Sequence, residues 1–152
     1  MRVVLVEPEI PPNTGSIARL CAATKTPLDL VGRLGFTIDD RHLRRAGLDY
    51  WPFVTLRQHG DWPAFTATAS GRLLAFSARA TRVYTEIRFA RDDALVFGGE
   101  TRGLPAALVA ELAPHVYRIP IASSHVRSLN LANAVAIVLY EALRQLAAGP
   151  QS

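Results

Sequence analysis

Three short segments carry most of the side chains in this sequence that could do chemistry: Asn13-Thr14-Gly15-Ser16-Ile17-Ala18-Arg19, Phe97-Gly98-Gly99-Glu100-Thr101-Arg102-Gly103-Leu104 and Arg127-Ser128-Leu129-Asn130-Leu131-Ala132-Asn133. Each puts small or amide-bearing residues where a strand should end and a helix begin, the usual place for a ligand in an alternating α/β chain. Gly98, Gly99 and Gly103 allow positive φ and a close approach of main chain to a ligand, with a tight structural turn as the alternative. The G-x-G-x-x-G spacing and the Walker sequence are both absent, which disfavours dinucleotide and P-loop phosphate sites. Ser128 and Asn130 suit a loop turning into a helix N-terminus, with capping alone as the alternative to a ligand role. Arg19 keeps its charge in nearly any environment, so it suits gripping an anion or stabilising developing negative charge; a surface ion pair with Glu7 or Glu9 is the alternative. Asn13 and Arg19 lie less than two helical turns apart, so a loop amide and a helix-borne guanidinium could reach one cleft.

The elements that must hold these segments follow from hydrophobic pattern. Apolar, β-branched runs at 2–6, 28–31, 54–56, 72–77, 94–98 and 116–121 read as short strands buried on both faces. Helical patterns lie between them, at 14–24, 39–46, 62–69, 105–112 and 130–146, with proline in the first turn of two. The alternation predicts an α/β fold: a mainly parallel sheet with helices on both faces.

A chain of 152 residues, 49% of them hydrophobic, fits a single domain spanning 1–152 with a real core. No apolar block is long enough to span a membrane, and Met1–Val6 runs at once into Glu7-Pro8-Glu9, so it reads as a strand and not a signal peptide. A cytoplasmic protein is expected. The single cysteine, Cys21, reads as a small buried thiol, and His42, His59, His115 and His125 show no metal-ligand spacing, so no metal is expected. Net charge is +4, and Lys25 is the one lysine among 17 basic residues. That arginine bias permits nucleic-acid binding without requiring it. The cluster Arg41-His42-Leu43-Arg44-Arg45 says more: it gathers cations on one helix, suited to phosphate contact or else to a solvated face favoured by the helix dipole.

The order and spacing of the three segments resemble the signature motifs of the SPOUT superfamily of RNA methyltransferases. The resemblance extends through Glu7-Pro8-Glu9-Ile10-Pro11-Pro12-Asn13-Thr14-Gly15 and Arg44-Arg45-Ala46-Gly47-Leu48-Asp49-Tyr50. It runs nearly end to end and is strongest with the compact bacterial enzymes that methylate the ribose 2′-hydroxyl of the tRNA wobble nucleotide. The resemblance implies a trefoil knot involving roughly 72–146, which nothing in the pattern of elements predicts. It implies S-adenosylmethionine as donor and S-adenosylhomocysteine as product. The donor would be held in a bent shape by main chain near Phe76, Gly98, Ile119 and Ser128, with Gly99 and Leu129 beside it and Ile119 and Ile121 covering the adenine. Gly99 stands where a proline often fills the middle position in close relatives, which loosens the loop without abolishing binding.

On the acceptor side the resemblance implies Arg19, Asn13, Glu100, Ser128 and Asn130 as the catalytic set. A guanidinium is a poor base, so Arg19 is expected to clamp substrate phosphate and stabilise the forming alkoxide, and Glu100 to orient Asn13 or the helix. His125 has a suitable reference pKa for a base but reads as an exposed loop residue in a segment one residue longer than in close relatives. Tyr140 is either core or, by resemblance, a contact to tRNA. With no room for an added RNA-binding domain, the chain would recognise tRNA through Arg41, Arg44, Arg45 and Tyr140 and would work as a homodimer. The rival readings are an α/β enzyme acting on a small nucleotide, a 2′-O-methyltransferase for another RNA site, and a non-catalytic RNA-binding module of the same fold.

Overall fold

The computed structural model describes residues 1–39, 41, 45 and 49–149. Seven strands, β1 (Arg2–Val6), β2 (Leu28–Val31), β3 (Leu56–His59), β4 (Leu73–Phe76), β5 (Arg82–Val83), β6 (Ala94–Gly98) and β7 (Val116–Arg118), form one sheet in the order β3-β2-β1-β6-β4-β7-β5. Every pairing is parallel. The helices are α1 (Pro11–Thr24), α2 (Trp62–Thr66), α3 (Ala106–Leu112) and α4 (Leu131–Ala147). Among the described residues no helix is long and apolar enough to cross a membrane.

Past Arg2, β1 is apolar, as are β4 and β6 throughout, because both faces of these central strands are covered. In β1, Val3 and Leu5 pack against Ile17, Ala18 and Cys21 of α1 and Val135, Val138 and Leu139 of α4. Val4 and Val6 face the opposite way, toward Phe65 of α2 and Leu108 and Leu112 of α3. Asp29 of β2 is fully buried and is met by His59 Nε2 at 2.7 Å and by Arg2 at 3.7 Å. Two layers of helix therefore clamp the sheet, and its carboxyl edge is free to present loops.

Several boundaries differ from those the sequence predicts, each for a local reason. The third strand is 56–59 and not 54–56, because Trp51–Phe53 forms a 3-10 turn whose cap is Val54. The last strand stops at Arg118 and not at 121; Pro120 has no amide to give to a ladder. The strand at 72–77 trims to 73–76, and β5 was not anticipated. Helix α1 starts at Pro11, whose fixed φ suits a first turn, so Asn13 lies in the helix instead of the loop before it. Helix α2 ends at Thr66 instead of 69, where the Thr68 hydroxyl caps the Phe65 carbonyl. Pro63 sits in the first turn of α2, whereas Pro105 is the residue before α3. Asn130 caps α4 by accepting the Asn133 amide at 3.2 Å. The helix expected over 39–46 lies largely outside the described residues; of it, Arg41 and Arg45 are helical.

Candidate active site

Strands β1, β6, β4 and β7 lie side by side, so the chain leaving them at 7–10, 98–105, 77 and 119–130 collects at one end of the sheet. The first two of these segments interlock. Glu100 accepts the main-chain amides of Glu9 at 2.7 Å and Ile10 at 3.1 Å, and the side-chain amide of Asn13 at 3.4 Å. In return the carboxylate of Glu9 accepts the amide of Thr101 at 3.3 Å. Hydrogen bonds from Thr101 hold the Glu9 carboxyl below the usual carboxylate range. Asn13 is joined in turn to Asn130, whose side-chain nitrogen donates to Asn13 Oδ1 at 3.0 Å. A single string thus runs from the turn after β6, through the start of α1, to the cap of α4.

Glycine makes this contact possible, but not by the route expected from the sequence. A Cβ on Gly98 would stand 2.1 Å from the carbonyl carbon of Gly103, and one on Gly99 would stand 2.5 Å from the carbonyl oxygen of Glu7. Gly98 and Gly99 are therefore filled by the protein's own main chain. Only Gly103 of the three has positive φ, at 66°, and its amide closes the turn onto the Gly99 carbonyl at 2.9 Å.

The segments expected to hold a donor lie at or leave the carboxyl ends of β4, β6 and β7. Phe76 ends β4 with its ring stacked on Phe97 at 4.9 Å, both in the core on the α1 side. Ile119, Ile121 and Leu129 are half-buried, while Ala122 to Ser128 are exposed. From Ile119 to Leu129 the chain is in neither helix nor strand, with a turn at Ser124–His125. His125 is exposed and gives its amide to the Ser123 hydroxyl at 3.1 Å. Cys21 is buried among apolar side chains, which pushes its thiol up to about 12 and leaves it unreactive at neutral pH.

Arg19 is not gathered with Asn13 in this chain. Six residues along α1 turn it by about 240° and carry it about 9 Å along the axis. Its guanidinium lies over the ring of Tyr50, 4.8 Å from the centroid, and among the described residues it makes no ion pair, so the pairing with Glu7 or Glu9 does not form. Tyr50 as the platform for Arg19, and Glu9 as the partner of Thr101, were both missed from sequence. The only hint was the placement of Tyr50 at the end of the Arg44–Tyr50 motif. Tyr140 is 54% exposed on α4, which removes the core reading. Arg41 and Arg45 are exposed, and Arg44 lies outside the described residues.

Comparison with known proteins places the chain in a family. The model of the SpoU rRNA Methylase family matches residues 1–140. The chain is 47% identical to a tRNA (cytidine(34)-2′-O)-methyltransferase of Escherichia coli (strain K12), covering 96% of this chain and 94% of that protein. It is 50% identical to the enzyme of the same name from Burkholderia pseudomallei (strain 1106a), covering 94% of each. Among solved structures, one described as giving insights into the 2-OH methylation of C/U34 on tRNA superposes with a TM-score of 0.92 at 46% identity, over 97% of this chain and 96% of that one. The SpoU methyltransferase AviRb from Streptomyces viridochromogenes, solved in complex with the cofactor AdoMet, superposes with a TM-score of 0.86 at 26% identity, over 98% of this chain and 61% of its own. With its loops gathered at one sheet end and its length matched almost throughout, the chain belongs to the SpoU rRNA Methylase family.

Proposed function

We propose that this protein transfers the methyl group of S-adenosylmethionine to the ribose 2′-hydroxyl of the wobble nucleotide, a cytidine or modified uridine, in a tRNA anticodon loop, working in the cytoplasm as a homodimer. The observation that carries this reading is the Glu100–Asn13–Asn130 string at the carboxyl end of the sheet, in a chain nearly half identical to named wobble-cytidine enzymes. The segment 119–129 fits the donor: its main chain is free of helix and strand where it leaves the carboxyl end of β7, and Ile119 and Ile121 are half-buried apolar side chains able to cover an adenine face.

In this reading main chain at Phe76, Gly98, Gly99, Ile119, Ser128 and Leu129 holds the donor, and Ile121 shields it. Bound there, S-adenosylmethionine supplies an electrophilic methyl group. The protein's own work is to align the acceptor oxygen in line with that methyl, so that the new oxygen–carbon bond forms as the sulfur–carbon bond breaks and S-adenosylhomocysteine is left, and to stabilise the charge that grows on the oxygen as its proton passes to water. Arg19 supplies a permanent cation with a planar fork for substrate phosphate and the forming alkoxide. Glu100 fixes Asn13, and Asn13 fixes Asn130, so that two amides and the Ser128 hydroxyl meet the ribose in set orientations. The position of β7 between β4 and β5, which 77–81 connects, supports a knot threaded through 72–146.

Dimerisation would complete each site, because Arg19 and Asn13 point apart within one chain. Ile137 of α4 is 38% exposed and Phe53, in the 51–53 turn that packs on α1, is 73% exposed, apolar side chains suited to a second copy. Arg41, Arg44 and Arg45 would grip phosphates and Tyr140 would meet the anticodon loop. Mass mapping of tRNA from a strain lacking the gene tests the reading: one wobble 2′-O-methyl group should disappear, and an unchanged wobble ribose contradicts it.

A further inference from the structure

The β1–α1 segment is held on both sides by main chain. Gly99 lies against the Glu7 carbonyl, and on the other flank the Gly35 amide donates to the Pro8 carbonyl at 3.0 Å. A Cβ on Gly35 would stand 2.7 Å from the Glu9 carbonyl oxygen. Between these flanks Glu9 takes part in a reciprocal exchange: its amide goes to Glu100 and its carboxylate receives the amide of Thr101, the very next residue. The three bonds of Glu100, to the amides of Glu9 and Ile10 and to the Asn13 side chain, all end on one carboxylate at the tip of its side chain, and so tie the 7–13 segment to that side chain and not to the main chain of the turn. The Glu9–Thr101 bond runs the other way, from the 7–13 segment to the main chain of the turn itself, and so fixes how the turn is tilted against the segment.

We infer that Glu9 is a positioning residue for the methyl transfer: its bond to Thr101 locks the turn after β6 to the start of α1, so that the donor side and the Asn13–Asn130 acceptor side keep one register. It touches neither substrate; it acts through Glu100 and Asn13. The inference rests on the methyl-transfer reading proposed above. Its specific consequence is that losing the Glu9 carboxylate leaves both ligands bound yet misaligned, and misalignment by about 1 Å is enough to cost about 100-fold in rate.

The experiment compares wild type, Glu9→Ala, Glu9→Met and Glu9→Gln in steady-state methyl transfer from labelled S-adenosylmethionine to tRNA, with thermal melts of each. The first arm is the wild type: if it transfers no methyl to tRNA, the functional reading fails before Glu9 is tested. Given wild-type transfer, Glu9→Ala should lower kcat by about 10- to 100-fold with KM for both substrates changed less than about threefold. Glu9→Met, similar in length and without an acceptor, gives the same loss if Glu9→Ala folds poorly. Glu9→Gln keeps an oxygen for the Thr101 amide and should recover most of kcat. Full kcat in the folded Ala or Met variant, a loss carried by KM alone, or a Gln variant as slow as Ala overturns the role of Glu9 and leaves the functional reading standing.

Discussion

At the amino end of the sheet Arg72 grips Asp93 through two hydrogen bonds of 2.9 and 2.7 Å, with Asp93 fully buried and also accepting the Ala90 amide. At the carboxyl end Glu100, Asn13 and Asn130 form a string of single bonds, half-buried to exposed, beside a stretch from Ala122 to Ser128 that is exposed throughout. The same parallel strands supply both ends, so the contrast is one of use. Charge at the amino end is matched, with its carboxylate buried, and spent on holding β4 to β6. Polar groups at the carboxyl end are oriented by neighbours but keep faces open to water, which a ligand can replace. Damage to the first end should therefore appear as lost stability and damage to the second as lost rate.

Arg19→Ala should give the largest effect and only on rate. Removing one charge that acts on the transition state costs about 10²–10³-fold, or about 3–4 kcal/mol, while an exposed helix position leaves the melting temperature nearly unchanged. Arg19→Lys should rescue poorly, because a point charge lacks the fork. Near-full turnover in the lysine variant would show that charge without geometry suffices.

Arg72→Ala is the mirror test. It strands the buried Asp93 carboxylate, and a loss of about 3 kcal/mol in urea unfolding is expected, the low end for a broken buried pair because the guanidinium is itself 43% exposed. The folded fraction should keep wild-type kcat. A selective loss of kcat would blur the division between the two ends.

Gly98→Ala sits between them. Its Cβ would meet Gly103 and Leu104 main chain at 2.1 and 2.2 Å, so the turn must move and S-adenosylmethionine should bind at least about tenfold more weakly, about 1.4 kcal/mol by calorimetry. Unchanged affinity in a folded variant would remove this turn from the donor site. The smallest effect belongs to the periphery: replacing Arg41, Arg44 and Arg45 by alanine should flatten the salt dependence of tRNA binding by up to about one logarithmic unit per lost phosphate contact, with donor affinity unaltered.

Strands β1, β2 and β6 were legible from sequence because burial on both faces leaves uninterrupted apolar runs such as Val3-Val4-Leu5-Val6. Strand β5 was not, since Arg82-Val83 carries no such run and exists by pairing with β7. The role of Gly98 and Gly99 was legible as a need for glycine but not as to what fills the space, which is main chain from elsewhere in the fold. Glu100 reads from sequence as orienting Asn13 or the helix, and its carboxylate accepts the Asn13 side-chain amide and the main-chain amides of Glu9 and Ile10. Glu9 was not read as its counterpart, because its partner Thr101 is 92 residues away and no local pattern encodes a bond between two loops. Likewise the helical spacing of Tyr140 fits core and surface equally, and only the packing of α4 against α1 exposes it.

Incubating the purified protein with methyl-labelled S-adenosylmethionine and bulk tRNA, then locating the labelled nucleotide, tests the carboxyl end of the sheet as a ribose methylation site most directly. The expected result is label on the 2′-oxygen of the wobble ribose and nowhere else. Label in a base, on a ribose outside the anticodon loop, or in no tRNA at all would contradict it.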